Sequence, residues 1–164
     1  MSAPYHVLFL CTGNSARSIL AEAILNREGQ GRFVAHSAGS RPTGAPNPHA
    51  IALLQRAGFD TGFARSKSWD EFAVPGAPVL DFIFTVCDAA AAEECPYWPG
   101  KPATAHWGLP DPAAVQGTDA EKALAFADTF AALTRRIQAL TALPLATIDG
   151  LTLTNRLRAI GTMA

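Results

Sequence analysis

The first thirty residues contain the feature that most restricts the fold, a β-prone apolar run joined to a helical pattern by a short loop. Residues 5–10 are mostly apolar, which is typical of a strand buried in a parallel sheet. Gly13 and Asn14 end the run, and Gly29 stands where the following helix should stop. Between these points the apolar residues that recur at helical spacing are Ile19, Leu20, Ala23 and Ile24. The segment therefore predicts a strand, a tight loop and a helix.

The rest of the chain repeats this alternation. Further strands are predicted at 33–36, 82–86 and near 103–106, which are short β-prone runs. Helices are predicted from Pro48 to Gly58, from the capping box Thr118–Glu121 onward, and over the segment Leu151–Ile160. Strands that alternate with helices indicate an α/β fold with a parallel sheet, whose ligand site lies at the carboxyl ends of the strands.

Composition narrows the possible functions. A chain of 164 residues with 49% hydrophobic residues fits a single domain spanning residues 1–164. The formal net charge of -1 gives no basic field, so we expect no nucleic-acid partner. The N-terminal apolar run is too short for a signal peptide or a membrane span, so we expect a cytoplasmic protein with no membrane contact. The four histidines are scattered and no C-x-x-C pair occurs, which predicts neither a catalytic metal nor a cofactor.

The loop between the first strand and the first helix has the form C-x5-R-S, from Cys11 to Ser18. A loop that enters a helix amino terminus turns successive N–H groups inward, and the helix dipole adds partial positive charge there. The guanidinium of Arg17 is a planar fork that can bind two oxygens of one anion. The predicted oxyanion-binding residues are Thr12, Gly13, Asn14, Ser15, Ala16 and Arg17. The loop therefore predicts a site for a tetrahedral oxyanion.

Cys11 is the predicted nucleophile of this site. The positive field of the loop should lower the pKa of Cys11 and keep it as a thiolate, which is the reactive form. Ser18 can donate its hydroxyl to that thiolate. The alternative is a buried core thiol at a strand end with Arg17 as a surface residue, because free cysteines are often buried. The strand-loop-helix context favours the reactive interpretation.

Three segments together resemble the low-molecular-weight protein tyrosine phosphatases: the loop Cys11–Ser18, Ser37-Ala38-Gly39 and Asp111-Pro112. The resemblance implies a three-layer α/β sandwich with a central four-stranded parallel sheet, and it implies that Asp111 is the general acid. Phosphatases of this family carry aromatic residues after their Asp-Pro, where this chain has Ala113 and Ala114. Without aromatic walls an aryl ring gains little burial, so a small inorganic anion is the expected substrate.

More narrowly, Cys87, Cys95 and His106–Pro112 resemble the thioredoxin-coupled arsenate reductases built on that fold. Reduction of arsenate needs two electrons, so such an enzyme needs thiols besides its nucleophile. The resemblance implies a relay in which Cys87 attacks Cys11 and Cys95 then attacks Cys87, with unwinding of the short segment 88–94. The electron donor stays open between thioredoxin, glutaredoxin and small thiols.

The expected substrate is therefore arsenate, with phosphate or sulfate as competing anions. Two alternatives remain: a low-molecular-weight tyrosine phosphatase, and a phosphocarrier module that needs neither Cys87 nor Cys95. One departure from the family is Lys67, which replaces an acidic residue that in relatives helps hold a potassium ion. We expect its ammonium to take the place of that ion beside Asn14, Glu22 and Ser37.

Overall fold

The computed structural model describes residues 3–87 and 102–163, which form a four-stranded parallel sheet with helices. The strands are β1 (Tyr5–Leu10), β2 (Phe33–Ala38), β3 (Phe82–Thr85) and β4 (Ala103–His106). Their order across the sheet is β2-β1-β3-β4, and every neighbouring pair is parallel. Because β1 and β3 are neighbours with parallel ends, the residues that follow them, Cys11 and Cys87, come together at one edge of the sheet.

The described α-helices are α1 (Arg17–Glu28), α2 (Pro48–Arg56), α3 (Asp119–Thr141) and α4 (Gly150–Ile160). Side chains cap the first turns of three of them: Asn47 on α2, Thr118 on α3 and Asp149 on α4. Helix α1 differs, because its N-cap residue is Ala16 and makes no side-chain cap bond. The first N–H groups of α1 therefore receive no hydrogen bond acceptor from an N-cap side chain.

The two faces of β1 bury different clusters, as the period of two in a strand requires. Val7 and Phe9 pack into the larger cluster, to which all four helices contribute. Leu8 and Leu10 face the other side, where they pack with Phe72 in a smaller cluster. Phe72 belongs to a short 3-10 helix, Trp69–Phe72. Within the described residues, no α-helix contributes to the smaller cluster on this side of the sheet.

The predicted fold class and the order of the predicted elements are confirmed. Strand β2 runs two residues further than expected, to Ala38, because its pairing with β1 continues as far as Leu10. Strand β3 ends one residue earlier, at Thr85. In the part of the chain that the structure describes, no helix has the length and apolar character needed to cross a membrane.

Candidate active site

The loop from Cys11 to Ala16 is held open by bonds to its outward-facing carbonyls. The carbonyl of Thr12 accepts from the Arg41 N–H at 2.9 Å, that of Gly13 from the Thr43 N–H at 3.0 Å, and that of Ser15 from the Asn47 N–H at 2.8 Å. In a planar trans peptide the N–H points opposite to the C=O. Fixing these carbonyls outward therefore turns the amides of Gly13, Asn14 and Ala16 toward the inside of the loop.

Asn14 and Gly39 give the loop its tight curvature. Asn14 is fully buried with a φ of 45°, a left-handed conformation that asparagine tolerates better than most residues. Its amide nitrogen donates to Ser18 Oγ at 2.8 Å, and its oxygen accepts from the Lys67 N–H at 2.8 Å. A Cβ on Gly39 would lie 2.4 Å from the carbonyl oxygen of Thr12, so only glycine fits there.

The loop forms one wall of a pocket of about 470 Å³, lined also by Arg17, Cys87, Asp111 and Ala113. The structure thus brings together the predicted nucleophile, arginine and acid, with the second thiol. Asn14 and Ser18 do not line this pocket; their side chains brace the loop from behind. The expected donation from Ser18 to Cys11 stays a prediction.

Arg17 ties the loop to the segment that carries Asp111. One terminal nitrogen of its guanidinium donates to the carbonyl of Leu109 at 2.8 Å, and the other lies 3.8 Å from Asp111 Oδ2. Asp111 Oδ1 accepts from the Ala113 N–H at 2.9 Å, which orients the carboxylate at the start of a short 3-10 helix. Within the described residues, Nε of Arg17 is buried and has no hydrogen-bond acceptor. A bound oxyanion would supply that acceptor.

The two described thiols form a contacting pair. Cys11 and Cys87 are 5% and 4% exposed and are hydrogen-bonded to each other. The Thr12 N–H also donates to the sulfur of Cys87, at 3.3 Å. The hydrogen bond with Cys87 and burial raise the pKa of Cys11, and the charge of Arg17 opposes them only in part. The expected depressed pKa of Cys11 is thus wrong for this state, because the neighbouring sulfur and desolvation outweigh the loop.

A buried charge cluster supports the loop from the side opposite the pocket. The Lys67 ammonium donates to Ser37 Oγ at 3.4 Å and to the Arg65 carbonyl at 3.0 Å, and it lies 3.8 Å from Glu22 Oε1. Burial raises the pKa of Glu22 and lowers that of Lys67, and the charge of each partner opposes the shift of the other. With an ammonium among these oxygens, the residues do not fit an additional potassium ion.

Some expectations fall on other parts of the chain. Cys95 and the segment 88–94 lie outside the described residues. Across 3–87 and 102–163 no group of three metal-ligating side chains forms. Sequence reasoning missed the bracing of the loop by residues 41–47, and it missed the bond from Arg17 to the Leu109 carbonyl.

Comparisons with known proteins show which families and folds this chain resembles. A family model described as low molecular weight phosphotyrosine protein phosphatase matches residues 6–149. An arsenate reductase of Bacillus licheniformis is 36% identical over 116 residues, which cover 71% of this chain and 80% of the relative. The crystal structure of arsenate reductase from Archaeoglobus fulgidus has a TM-score of 0.65 at 25% identity, covering 84% of this chain and 99% of that chain. A thioredoxin-dependent arsenate reductase of Corynebacterium glutamicum shares the fold, with a TM-score of 0.62 at 23% identity over 85% of this chain and 62% of its own.

Proposed function

The chain belongs to the low molecular weight phosphotyrosine protein phosphatase family, and from that premise we propose that it reduces arsenate to arsenite with Cys11 as nucleophile. The observation that carries the proposal is the second buried thiol, because Cys87 contacts Cys11 inside the anion pocket. Hydrolysis of a phosphate ester needs one nucleophile. Reduction of arsenate needs two electrons, which two thiols supply when they form a disulfide. The arsenate reductase name of the Bacillus licheniformis relative supports the same reaction.

Recognition of the anion follows from the pocket lining. The inward amides of the loop and the dipole of α1 favour a tetrahedral dianion, and the Arg17 fork adds a charge-assisted contact. Among the described lining residues none is aromatic, and Ala16, Thr43 and Ala113 are small. A phosphotyrosine ring would find little apolar surface there, whereas arsenate, phosphate or sulfate needs none.

The first step joins the sulfur of Cys11 to arsenic. Cys11 reacts as the thiolate, the form that Arg17 and the Gly13 N–H favour against the opposing effects of Cys87 and burial. Its proton passes to an oxygen of the bound arsenate. As the S–As bond forms, one As–O bond breaks, and Asp111 protonates the departing oxygen so that it leaves as water. Arsenic remains in the +5 state.

The second step makes the electron transfer. The sulfur of Cys87 attacks the sulfur of Cys11, the S–As bond breaks, and its electron pair stays on arsenic, which becomes arsenite. The proton of Cys87 passes to an arsenite oxygen, and a Cys11–Cys87 disulfide remains. Because Cys87 already forms a hydrogen bond with Cys11, its sulfur lies beside the sulfur that it attacks.

Recovery of the thiols is assigned to Cys95 and an external donor. Attack of Cys95 on Cys87 would move the disulfide outward, with unwinding of 88–94, and a protein thiol such as thioredoxin or a small thiol would then reduce it. The Corynebacterium glutamicum enzyme, which shares this fold, is thioredoxin-dependent by name, and this supports a protein donor. We further propose that the chain acts as a single domain in the cytoplasm, where such reductants are abundant.

Arsenate turnover with thioredoxin, glutaredoxin and a small thiol supplied separately tests the proposal. We expect arsenite release with at least one donor, no release from Cys11→Ser, and an arsenylated Cys11 but no arsenite from Cys87→Ser. Full turnover by Cys87→Ser would contradict the disulfide mechanism.

The family name supports a second candidate, a tyrosine phosphatase that uses the same Cys11, Arg17 and Asp111. Hydrolysis of an aryl phosphate separates the two. A phosphatase rate far above arsenate turnover, unaffected by Cys87→Ser, would favour that candidate.

A further inference from the structure

Helix α4 begins one residue after the last residue of the family match, which ends at 149. It nevertheless packs directly on the chain that leads to Asp111. The indole N–H of Trp107 donates to the Leu157 carbonyl at 2.9 Å, in a fully buried contact. At the end of the helix, a Cβ on Gly161 would lie 2.4 Å from the carbonyl oxygen of His106, so the backbones touch there.

Arg136 of α3 connects the same two segments. One of its terminal nitrogens donates to the Trp107 carbonyl at 2.7 Å, and the other donates to the Met163 carbonyl at 2.9 Å. The guanidinium is only 4% exposed, and among the described residues it forms no ion pair. Burial, and to a smaller extent the charge of Arg135, lower the pKa of Arg136.

The contacts of α4 and Arg136 reach Trp107, which lies two residues before Leu109 and four before Asp111. Leu109 follows Trp107 closely, its N–H donates to the Val86 carbonyl at 3.2 Å, and its carbonyl holds Arg17 at 2.8 Å. A shift at Trp107 would therefore be carried to Arg17 and to Asp111.

We propose that α4 and Arg136 are a clamp that positions the segment 107–111, so that Asp111 faces the leaving oxygen of the anion bound in the Cys11 loop. The proposal rests on the arsenate reduction proposed above. The planar guanidinium of Arg136 bonds to the carbonyls of Trp107 and Met163 at once and thereby fixes where the two segments lie relative to each other. The clamp acts on Asp111 and on the Leu109 carbonyl that holds Arg17, whereas residues 41–47 hold the backbone amides of the loop independently.

Gly161→Ala is the test variant, and Gly150→Ala is its matched control. Gly161 has helical dihedrals (φ -64°, ψ -14°), so alanine is allowed by the backbone, and its Cβ would press on the His106 carbonyl oxygen at 2.4 Å and on the Trp107 ring at 2.9 Å. A Cβ on Gly150, at the other end of the same helix, meets nothing within 4 Å. Arg136→Lys is a second variant, which keeps the charge but cannot span the carbonyls of Trp107 and Met163.

We expect Gly161→Ala and Arg136→Lys to lower kcat for arsenate at least tenfold, with KM changed less than threefold because the loop still binds the anion. The limb of the kcat–pH profile that reports the acid should shift in both. Amide hydrogen exchange should become faster over 107–113 and stay unchanged over 11–17. Gly150→Ala should match the wild type in all readouts.

A kcat within twofold of the control, together with unchanged exchange over 107–113, would overturn the clamp. If the wild type does not reduce arsenate, the proposed function fails and the exchange result alone decides the clamp: faster exchange over 107–113 in both variants supports it, and unchanged exchange overturns it.

Discussion

Replacing Lys67 by methionine removes the cation that faces Glu22 behind the anion loop. The two side chains are 7% and 11% exposed and their charged atoms are 3.8 Å apart, so the carboxylate loses its buried partner. Removal of one member of a buried pair costs about 3–5 kcal/mol. We expect the lower end, about 3 kcal/mol, because Glu22 keeps the hydroxyl of Ser37 as a donor. For a chain of this size that loss lowers Tm by roughly 6–12 °C.

The loss should depend on pH in a defined direction. Burial already raises the pKa of Glu22 in the wild type, and Lys67 opposes the shift, so the folded-state pKa of Glu22 rises further in Lys67→Met. A carboxyl whose pKa is higher in the folded than in the unfolded state binds more protons when folded. The stability that such a carboxyl contributes to the protein is fully present below the unfolded pKa and decreases as pH rises toward the folded pKa. The stability difference between wild type and variant should therefore be larger at pH 8 than at pH 5.

Urea denaturation at both pH values measures this difference, and the double variant Glu22→Gln/Lys67→Met is the control. Neutral glutamine needs no counter-charge, so the double variant should recover most of the lost stability at pH 8. A loss below 1 kcal/mol, or a loss that is the same at pH 5 and pH 8 and persists in the double variant, would refute the buried ion pair as its cause.

Three other expectations concern the loop and the sheet. Gly39→Ala places a Cβ 2.4 Å from a loop carbonyl, so calorimetric titration with phosphate should show at least tenfold weaker binding, while Gly150→Ala should bind normally. Burial lowers the pKa of His36 to about 4; the unfolded chain then binds the extra proton, and stability should fall by roughly 1–2 kcal/mol from pH 6.5 to pH 4, after allowance for partial exposure. In His36→Leu this slope should be absent, and its persistence would show that other groups cause it. Because Lys67 supplies the cation, turnover should be the same in potassium and sodium at equal ionic strength, and strong activation by potassium would contradict that role.

The positions of the strands along the chain and the anion loop could be predicted because both depend on local sequence. The run at residues 5–10 is mostly apolar over a length that suits a buried parallel strand. The loop that follows it has the form C-x5-R-S, which stands out between the apolar patterns of the strand and the helix. Helix starts were equally visible, since Thr118 and Pro48 have local effects on the backbone.

The raised pKa of Cys11 could not be predicted, because it depends on a contact with a residue distant in the sequence. Cys87 stands 76 positions after Cys11, and only the pairing of β1 with β3 brings its sulfur close enough to raise the pKa of the nucleophile. The bonds from Arg17 to Leu109 and from Arg136 to Trp107 join segments that no local pattern connects. Charge and spacing in the sequence predicted which side chains belong to the candidate site, but not which of them are in contact.

A single-turnover reaction of the reduced Cys95→Ser variant with arsenate, in the absence of any thiol donor, measures whether Cys11 and Cys87 supply the two electrons. Without the third thiol the cycle should stop after one turnover. We predict one arsenite released per protein, the loss of two titratable thiols, and a Cys11–Cys87 disulfide in the peptide map. Release of no arsenite, or release with both thiols still titratable, would contradict it.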